Sequence, residues 1–448
     1  LLNYMLLNDK RPILTESEIF DSDFNIKSKL AEKKLIDSSR GYISYIRGND
    51  PINFPIRLSC KYNIPEKILD LSTYPKIDIN SNTLKNKIKY FELINCPFSK
   101  DHQNVLLKFI NNLKNKKEKS KKNNSLNNKN DIIDDDSVNE YMKSDIDDSV
   151  KNLDNNFSVA YISELQISNF IYQTYNESGK NINLCYGLGG FNIVCKKIPK
   201  NITYKFNDPE YGQRFLKNNL KKYSHKFFEC LNNIEKSNGP VLIYTYFTSG
   251  GVLPMAFALE MAGYRRYNNE PELLQNKYKN KNNLGEYIIY TGNEQLSKGA
   301  ELFFNKRSNM IKDKNVKVVL VSKKGSEGLN LWGFREIHIL DPWHNINLLE
   351  QVIGRVIRNK SHSHLKPENR NVSIYMYAST LSGEHKNKES VDLRVYNICE
   401  QKVIQSSKVE LLLKKNAIDC KINKYMNYRP KKLFKEDIKI NTSHNIKI

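Results

Sequence analysis

No apolar run of the roughly 18 residues that a bilayer-spanning helix needs occurs in this chain, and no signal peptide is visible, so membrane insertion is not expected. Cysteine is sparse and dispersed. The residues at 60, 96, 185, 195, 230, 399 and 420 form no C-x-x-C pair, a spacing that excludes zinc ribbons and disulfide frameworks. They read as reduced, mostly buried thiols of a cytosolic-type compartment. His362 and His364 lack partners and are expected in an exposed loop, so no metal site is assigned. There is no G-x-x-x-x-G-K-[ST] stretch, which removes the loop that cradles nucleotide phosphates in a self-sufficient P-loop enzyme. Gly187 to Gly190 is glycine-rich but has no following lysine and no helix signal. No acidic metal-binding box follows a strand; Asp134 to Asp136 stands in low-complexity sequence.

Positive charge is what the chain has in excess. Lys and Arg number 71 against 49 Asp and Glu, a net +22 over 448 residues. A polyanion, DNA or RNA, is the simplest partner for such a chain. An AT-rich genome also enriches Asn, Lys and Ile, and that bias raises Lys without any function. Residues 111–157 read as basic and polar, then acidic. Low hydrophobicity and blocks of like charge predict a disordered insertion in a surface loop.

The most informative stretch is LDPWHNINLLEQVIGRVIR, Leu340 to Arg358. A strand, Glu336 to Leu340, stops at Asp341-Pro342, and a helix is expected from Asn345 or Asn347. Helical spacing places Gln351, Arg355 and Arg358 on one face and turns Leu349, Val352, Ile353 and Val356 toward a core. Two guanidiniums beside a carboxamide suit a polyphosphate, because Arg offers forked donors and stays charged. Upstream, the strand Lys317 to Ser322 leads into KKGSEGLNL, where glycines let backbone amides approach a ligand. Ser322, Lys323, Ser326, Glu327, Gly328 and Asn330 offer polar contacts there. Val241 to Thr245 is another strand, followed by Tyr246, Thr248 and Ser249 and a helix over Val252 to Ala262 stopped by Gly263. Tyr287 to Tyr290 and Val372 to Tyr377 add strands. Helices are expected over Glu294 to Met310 and from 391 onward. Strands alternating with helices predict a parallel, doubly wound sheet, an α/β fold.

Q-x-x-G-R-x-x-R at 351–358 resembles motif VI of superfamily-2 helicases. The loop at 323–331 resembles their motif V, and YFTSGG at 246–251 their motif IV. The Asp341-Pro342-Trp343 element also recurs in Swi/Snf-type translocases. The segments RPILTESEIF (11–20), RGYISYIRGNDPINFPIRL (40–58), SELQISNFIY (163–172) and GPVLIYTYFTSGGVLPMAFALEMAGY (239–264) are similar to nucleoside triphosphatase and early-transcription-factor helicases of large cytoplasmic DNA viruses, poxviruses and their relatives. So is the tail VYNICEQKVIQ…LLLKKNAIDC (395–420). The resemblance implies a RecA-like helicase C-terminal domain at 236–385. Around it would lie a lobe exit and family-specific α/β region (1–110), the insertion (111–157), a lead-in region (158–235) and a C-terminal helix with a basic tail (386–448). It implies ATP and Mg²⁺ as cofactors, with Mg²⁺ held by a first lobe carrying the P-loop, so that this chain alone is inactive and is a C-terminal piece of a longer protein. Arg355 and Arg358 would be the arginine fingers, Gln351, Glu327, Gly328 and Asn330 the nucleotide-side contacts, and Tyr246, Thr248, Ser249, Ser322, Lys323 and Ser326 the nucleic-acid contacts. Viral RNA polymerase or transcription factors would be partners, in the cytoplasm, a viral factory or the virion. The alternative is a non-catalytic nucleic-acid-binding or transcription-assembly subunit on a degenerate RecA lobe.

Overall fold

The β-branched and aromatic runs picked out above become the centre of one parallel sheet. The computed structural model describes residues 1–22, 24–44, 53–124, 159–199, 202–275, 283–305, 310–311, 315–323 and 328–419. In chain order its strands are β1 Ile56–Ser59, β2 Ile94–Pro97, β3 Cys195–Lys197, β4 Tyr204–Phe206, β5 Val241–Tyr244, β6 Arg265–Arg266, β7 Leu274–Gln275, β8 Glu286–Tyr290, β9 Val316–Val321, β10 Glu336–Ile339 and β11 Asn371–Thr380. The main sheet runs β1-β11-β10-β5-β9-β8-β6, and β2 also pairs with β11. Every pairing in it is parallel. A small second sheet joins β3, β4 and β7.

Alternation along each strand sends side chains to two faces. Val241, Ile243, Val318 and Leu320 enter one core with the helices His225–Lys236, Leu253–Ala262 and Gly187–Val194. Leu242, Tyr244, Val319, Val321, Ile337 and Ile339 enter the other, with Leu349, Val352, Ile353 and Val356 of the helix Ile346–Val356 and the first turns of the helix Val391–Lys415. The fold is α/β with helices on both faces of a parallel sheet, as expected of a RecA-like lobe.

Several local expectations change. Residues 111–124 continue the helix Lys100–Asn124 rather than opening an irregular insertion. Val105, Leu106, Phe109 and Ile110 supply its buried stripe, and the lysines of the Lys/Asn-rich stretch that follows favour the helix; residues 125–157 lie outside the described residues. Gly187 to Gly190 do open a helix, Gly187–Val194. Those glycines are set by close packing: a Cβ on Gly189 would stand 2.2 Å from the Asn183 carbonyl oxygen, and one on Gly190 2.8 Å from the Tyr172 ring. Of the helix expected over Glu294 to Met310, residues 294–299 are not helical, Ala300–Phe304 is, and residues 306–309 lie outside the described residues. The Thr291, Asn293 and Ser297 side chains bond nearby backbone amides and build turns instead. Both β1 and β2 join the main sheet, which therefore extends into residues 1–110.

Candidate functional site

β5 lies between β9 and β10, and the chain leaves β5 toward β6 at one edge of the sheet but leaves its neighbour β10 toward β11 on the other side. The loops leaving the carboxyl ends of β5, β9 and β10 therefore meet at a topological switch point, where open parallel sheets bind ligands. These loops carry the residues singled out in the sequence.

Asp341, the first residue past Leu340, ties two of them together. It is 2 % exposed, and its carboxylate accepts the Tyr246 backbone N–H and the Asn169 side-chain amide. Burial pushes its pKa up, and the nearby Lys226 charge and these hydrogen bonds pull the other way. Lys226 Nζ donates to the Leu340 carbonyl and to Asn169 Oδ1, both at 3.0 Å, and pairs with Asp392 at 2.6 Å, with both side chains fully buried. Asp392 also accepts from Ser168 Oγ (2.8 Å) and the Ser379 backbone N–H (2.7 Å). Above Asp341, Tyr246 stacks on Trp343 with ring centroids 4.3 Å apart. Lys323 Nζ lies 5.0 Å over the Tyr246 ring and 3.2 Å from its hydroxyl. The loops after β5, β9 and β10 thus converge on Tyr246. Sequence reasoning missed Asn169, Lys226 and Asp392, and gave Asp341 no site role beyond a strand stop and part of the Asp341-Pro342-Trp343 element.

The other nucleic-acid candidates divide by exposure. Thr248 is half-buried. Ser249 is 3 % exposed in a π-helical turn, and its carbonyl accepts from Tyr172 Oη at 2.5 Å. Ser322 is 4 % exposed, its N–H directed at the Tyr290 carbonyl. Burial withholds both serine side chains from a surface strand. Ser326 and Glu327 lie outside the described residues. Gly328, at φ +79°, and Asn330 line an open cleft of about 370 Å³ with Tyr290, Glu301, Phe304, Asn305 and Leu329. None of Gln351, Arg355 and Arg358 lines that cleft.

The helix Ile346–Val356 begins at Asn345, whose side chain caps the Asn347 N–H. It buries Leu349, Val352, Ile353 and Val356, as the spacing predicts. Gln351 is exposed and Arg355 half-buried. Arg355 Nε is buried and has no hydrogen-bond partner among the described residues. The expected three-residue face is not realised, because the helix stops at Val356. The Arg355 carbonyl accepts the Leu331 N–H (2.9 Å) and the Val356 carbonyl accepts Ser361 Oγ (2.9 Å), while Ile357 leaves helical geometry at ψ 85°. Arg358 follows in the exposed segment beyond. His362, expected in an exposed loop, is 1 % exposed. It bridges Ser361 Oγ (2.8 Å) and the Phe334 carbonyl (2.7 Å), and burial lowers its pKa to about 4. It is a pin that closes this exit.

The six cysteines among the described residues are all buried and free. No group of three or more His, Cys, Asp or Glu among the described residues could hold a metal ion, and no described helix is long and apolar enough to cross a membrane.

No family model matches the chain. It is 28 % identical over 283 residues to a protein of Acanthamoeba polyphaga mimivirus named as an ATP-dependent RNA helicase, covering 62 % of this chain and 42 % of that protein. It is 28 % identical over 236 residues to a termination factor NPH-I homologue of African swine fever virus, covering 45 % of this chain and 33 % of that one. It is 31 % identical over 193 residues to nucleoside triphosphatase I of Melanoplus sanguinipes entomopoxvirus, covering 42 % and 26 % respectively. Against each of these three relatives the chain spans under half of the relative's length. Among solved structures, the C-terminal part of the Fun30 ATPase domain aligns at 16 % identity and a TM-score of 0.27, covering 43 % of this chain and 54 % of that one. The fold assignment rests on the sheet itself. The chain's homologues are helicases and nucleoside triphosphatases of large DNA viruses.

Proposed function

We propose that the chain is the C-terminal lobe of an ATP-dependent nucleic-acid helicase or translocase acting in viral transcription. The observation that carries this reading is Arg355. Its guanidinium is partly withdrawn from water, with an unpartnered buried Nε, on a helix whose opposite face is locked into the core. A buried donor without an acceptor costs free energy, and an incoming phosphate oxygen would remove that cost. The relatives' names fit a nucleoside triphosphate as the source of the phosphate.

In this reading a companion lobe holds the P-loop lysine, the Mg²⁺-binding acid and the acid that orients water. Water attacks the γ-phosphorus and the bond to the leaving ADP oxygen breaks. Arg355, with Arg358 from the exposed segment beyond the helix, neutralises charge on the γ-phosphoryl oxygens, and Gln351 orients them. Thr248 and Lys323, both half-buried, face the strand, with the buried Tyr246 ring supporting Lys323 from beneath, and Gly328 and Asn330 link it to the nucleotide side.

The test is ATP turnover with the companion lobe present and nucleic acid saturating. Arg355→Ala should lower kcat about 10³-fold or more, the range seen for arginine fingers. Arg355→Lys should rescue poorly, because an ammonium lacks the guanidinium fork. The isolated chain should show no significant turnover. Near-parental kcat in Arg355→Ala, or robust turnover by the isolated chain, overturns the reading.

A further inference from the structure

The loop that leads into β2 displays lysines from a firmly held backbone. Lys85, Lys87 and Lys89 are exposed, and Tyr90 is 71 % exposed. None of the three lysines forms an ion pair among the described residues. Between them, Ile88 is 0 % exposed and anchors the loop in the core. Glu400, 1 % exposed on the helix Val391–Lys415, accepts three successive backbone N–H groups, from Lys89 (2.7 Å), Tyr90 (2.7 Å) and Phe91 (2.9 Å). Asn397 donates to the Asn86 carbonyl at 2.9 Å, and Phe91 sets its ring edge-on to Tyr396. A solvated lysine run needs no such support. Here a buried carboxylate fixes the backbone so that cations and one aromatic ring project outward together.

The position of the loop matters as much as its chemistry. β10 ends at Ile339, level with Met376 of β11, and β2 begins at Ile94, level with Tyr377. The loop therefore enters the sheet at the height of its carboxyl edge, where Asp341 and Tyr246 lie. Ile88 and Leu93 share a core cluster with Tyr246, Trp343 and Leu349.

We propose that Lys85, Lys87, Lys89 and Tyr90 form a contact for single-stranded nucleic acid, separate from the loops after β5 and β9. The lysines take backbone phosphates and the Tyr90 ring stacks on a base. Stacking needs an unpaired base, so a single strand is favoured over a duplex. This rests on the functional reading above for its partner class, and on the loop's own geometry for its place.

The test is fluorescence anisotropy of the chain with a labelled homopyrimidine oligonucleotide across a salt series, each variant's melting temperature being checked first. Replacing Lys85, Lys87 and Lys89 together by Gln should flatten the log–log salt slope by about 2, at about 0.7 per phosphate contact, and weaken binding at least ~tenfold at low salt. Replacing the exposed Lys29, Lys33 and Lys196 by Gln removes the same charge and should leave the slope nearly unchanged. Tyr90→Ala should weaken single-strand binding about tenfold and duplex binding little, and Tyr90→Phe should keep parental affinity. If the two triple variants behave alike, or Tyr90→Ala is silent, the loop is not the contact, while a chain that still binds strands leaves the functional reading standing. If the unsubstituted chain binds no strand, the nucleic-acid half of that reading falls with it, and the Arg355 turnover test is unaffected.

Discussion

Lys226 and Arg355 are both cations with buried nitrogen atoms, yet the fold surrounds them differently. Lys226 is held by a carboxylate, a carbonyl and a side-chain amide, so every contact it needs lies within the protein. Arg355 also stands on a helix with one face in the core, but has a buried Nε with no acceptor among the described residues. The enclosed ion pair fixes where the loops lie, whereas the Arg355 Nε is the donor that, in the function proposed above, a phosphate oxygen would meet. Burial of a charge is therefore a poor guide to function here; what separates the two is whether the protein supplies the partner.

The sharpest way to break this contrast is to remove each cation and measure stability by chemical denaturation. Lys226→Met leaves Asp392 buried without its counter-ion and should cost about 3–5 kcal/mol. The double variant Lys226→Met/Asp392→Leu should recover part of that loss, since the Asp392 charge is gone while the buried Asp341 still loses the Lys226 charge. Arg355→Ala should change stability by less than about 1 kcal/mol, because it deletes a donor that had nothing to bond. Equal losses at the two positions would mean that Arg355 is a structural residue after all.

A second pair of observations concerns pH. Burial lowers His362 from its ordinary value of 6.5 to about 4. Between those values the unfolded chain binds the proton and the folded chain does not, so stability falls as pH falls through this window. The expected share of His362 between pH 7 and pH 5 is about 2 kcal/mol. His362→Asn should lose correspondingly less stability over that interval than the parent, with His102, also lowered to about 4 by burial, supplying the same background in both. Identical pH profiles would show that the ring is charged or exposed in solution.

The smallest expected effect is at the exposed pair between β1 and the helix Ile346–Val356. Arg57 meets Glu350 at 2.8 Å with both side chains nearly half-exposed. Glu350→Gln should shift stability by no more than about 0.5 kcal/mol. A loss above about 1 kcal/mol would mean that this contact, and not the buried face, holds the helix in place.

The helix Ile346–Val356 shows which parts of the molecule were legible beforehand. Its start, its buried residues and the outward placement of Gln351 follow from spacing alone, because they are local. Its end does not, because the terminating contacts come from Leu331 and Ser361 through tertiary geometry. Arg358 left the expected face for that reason. The Lys226 network was illegible for a related reason. Asn169, Lys226, Asp341 and Asp392 meet only after folding, and in a chain with 71 Lys and Arg nothing marks one lysine as enclosed. The Gly187–Gly190 helix misled because glycine's poor helix propensity is a weak local preference, and close packing against Asn183 and Tyr172 overrode it.

The long strand β11 has a consequence in time. Its first half pairs with β1 and its second half with β2, so a single strand closes one side of the sheet against two separate pieces of chain. Those pieces precede it by roughly 300 residues. At translation rates of about 5–20 residues per second, both leave the ribosome tens of seconds before their partner has been made. For that interval Ile56–Ser59 and Ile94–Pro97 are strands without a sheet, open to pairing with other nascent chains. The polysome, rather than the finished protein, is where this molecule is most exposed to misassembly. A chaperone that covers residues 56–97 during synthesis would raise the yield of folded chain more than one acting after release.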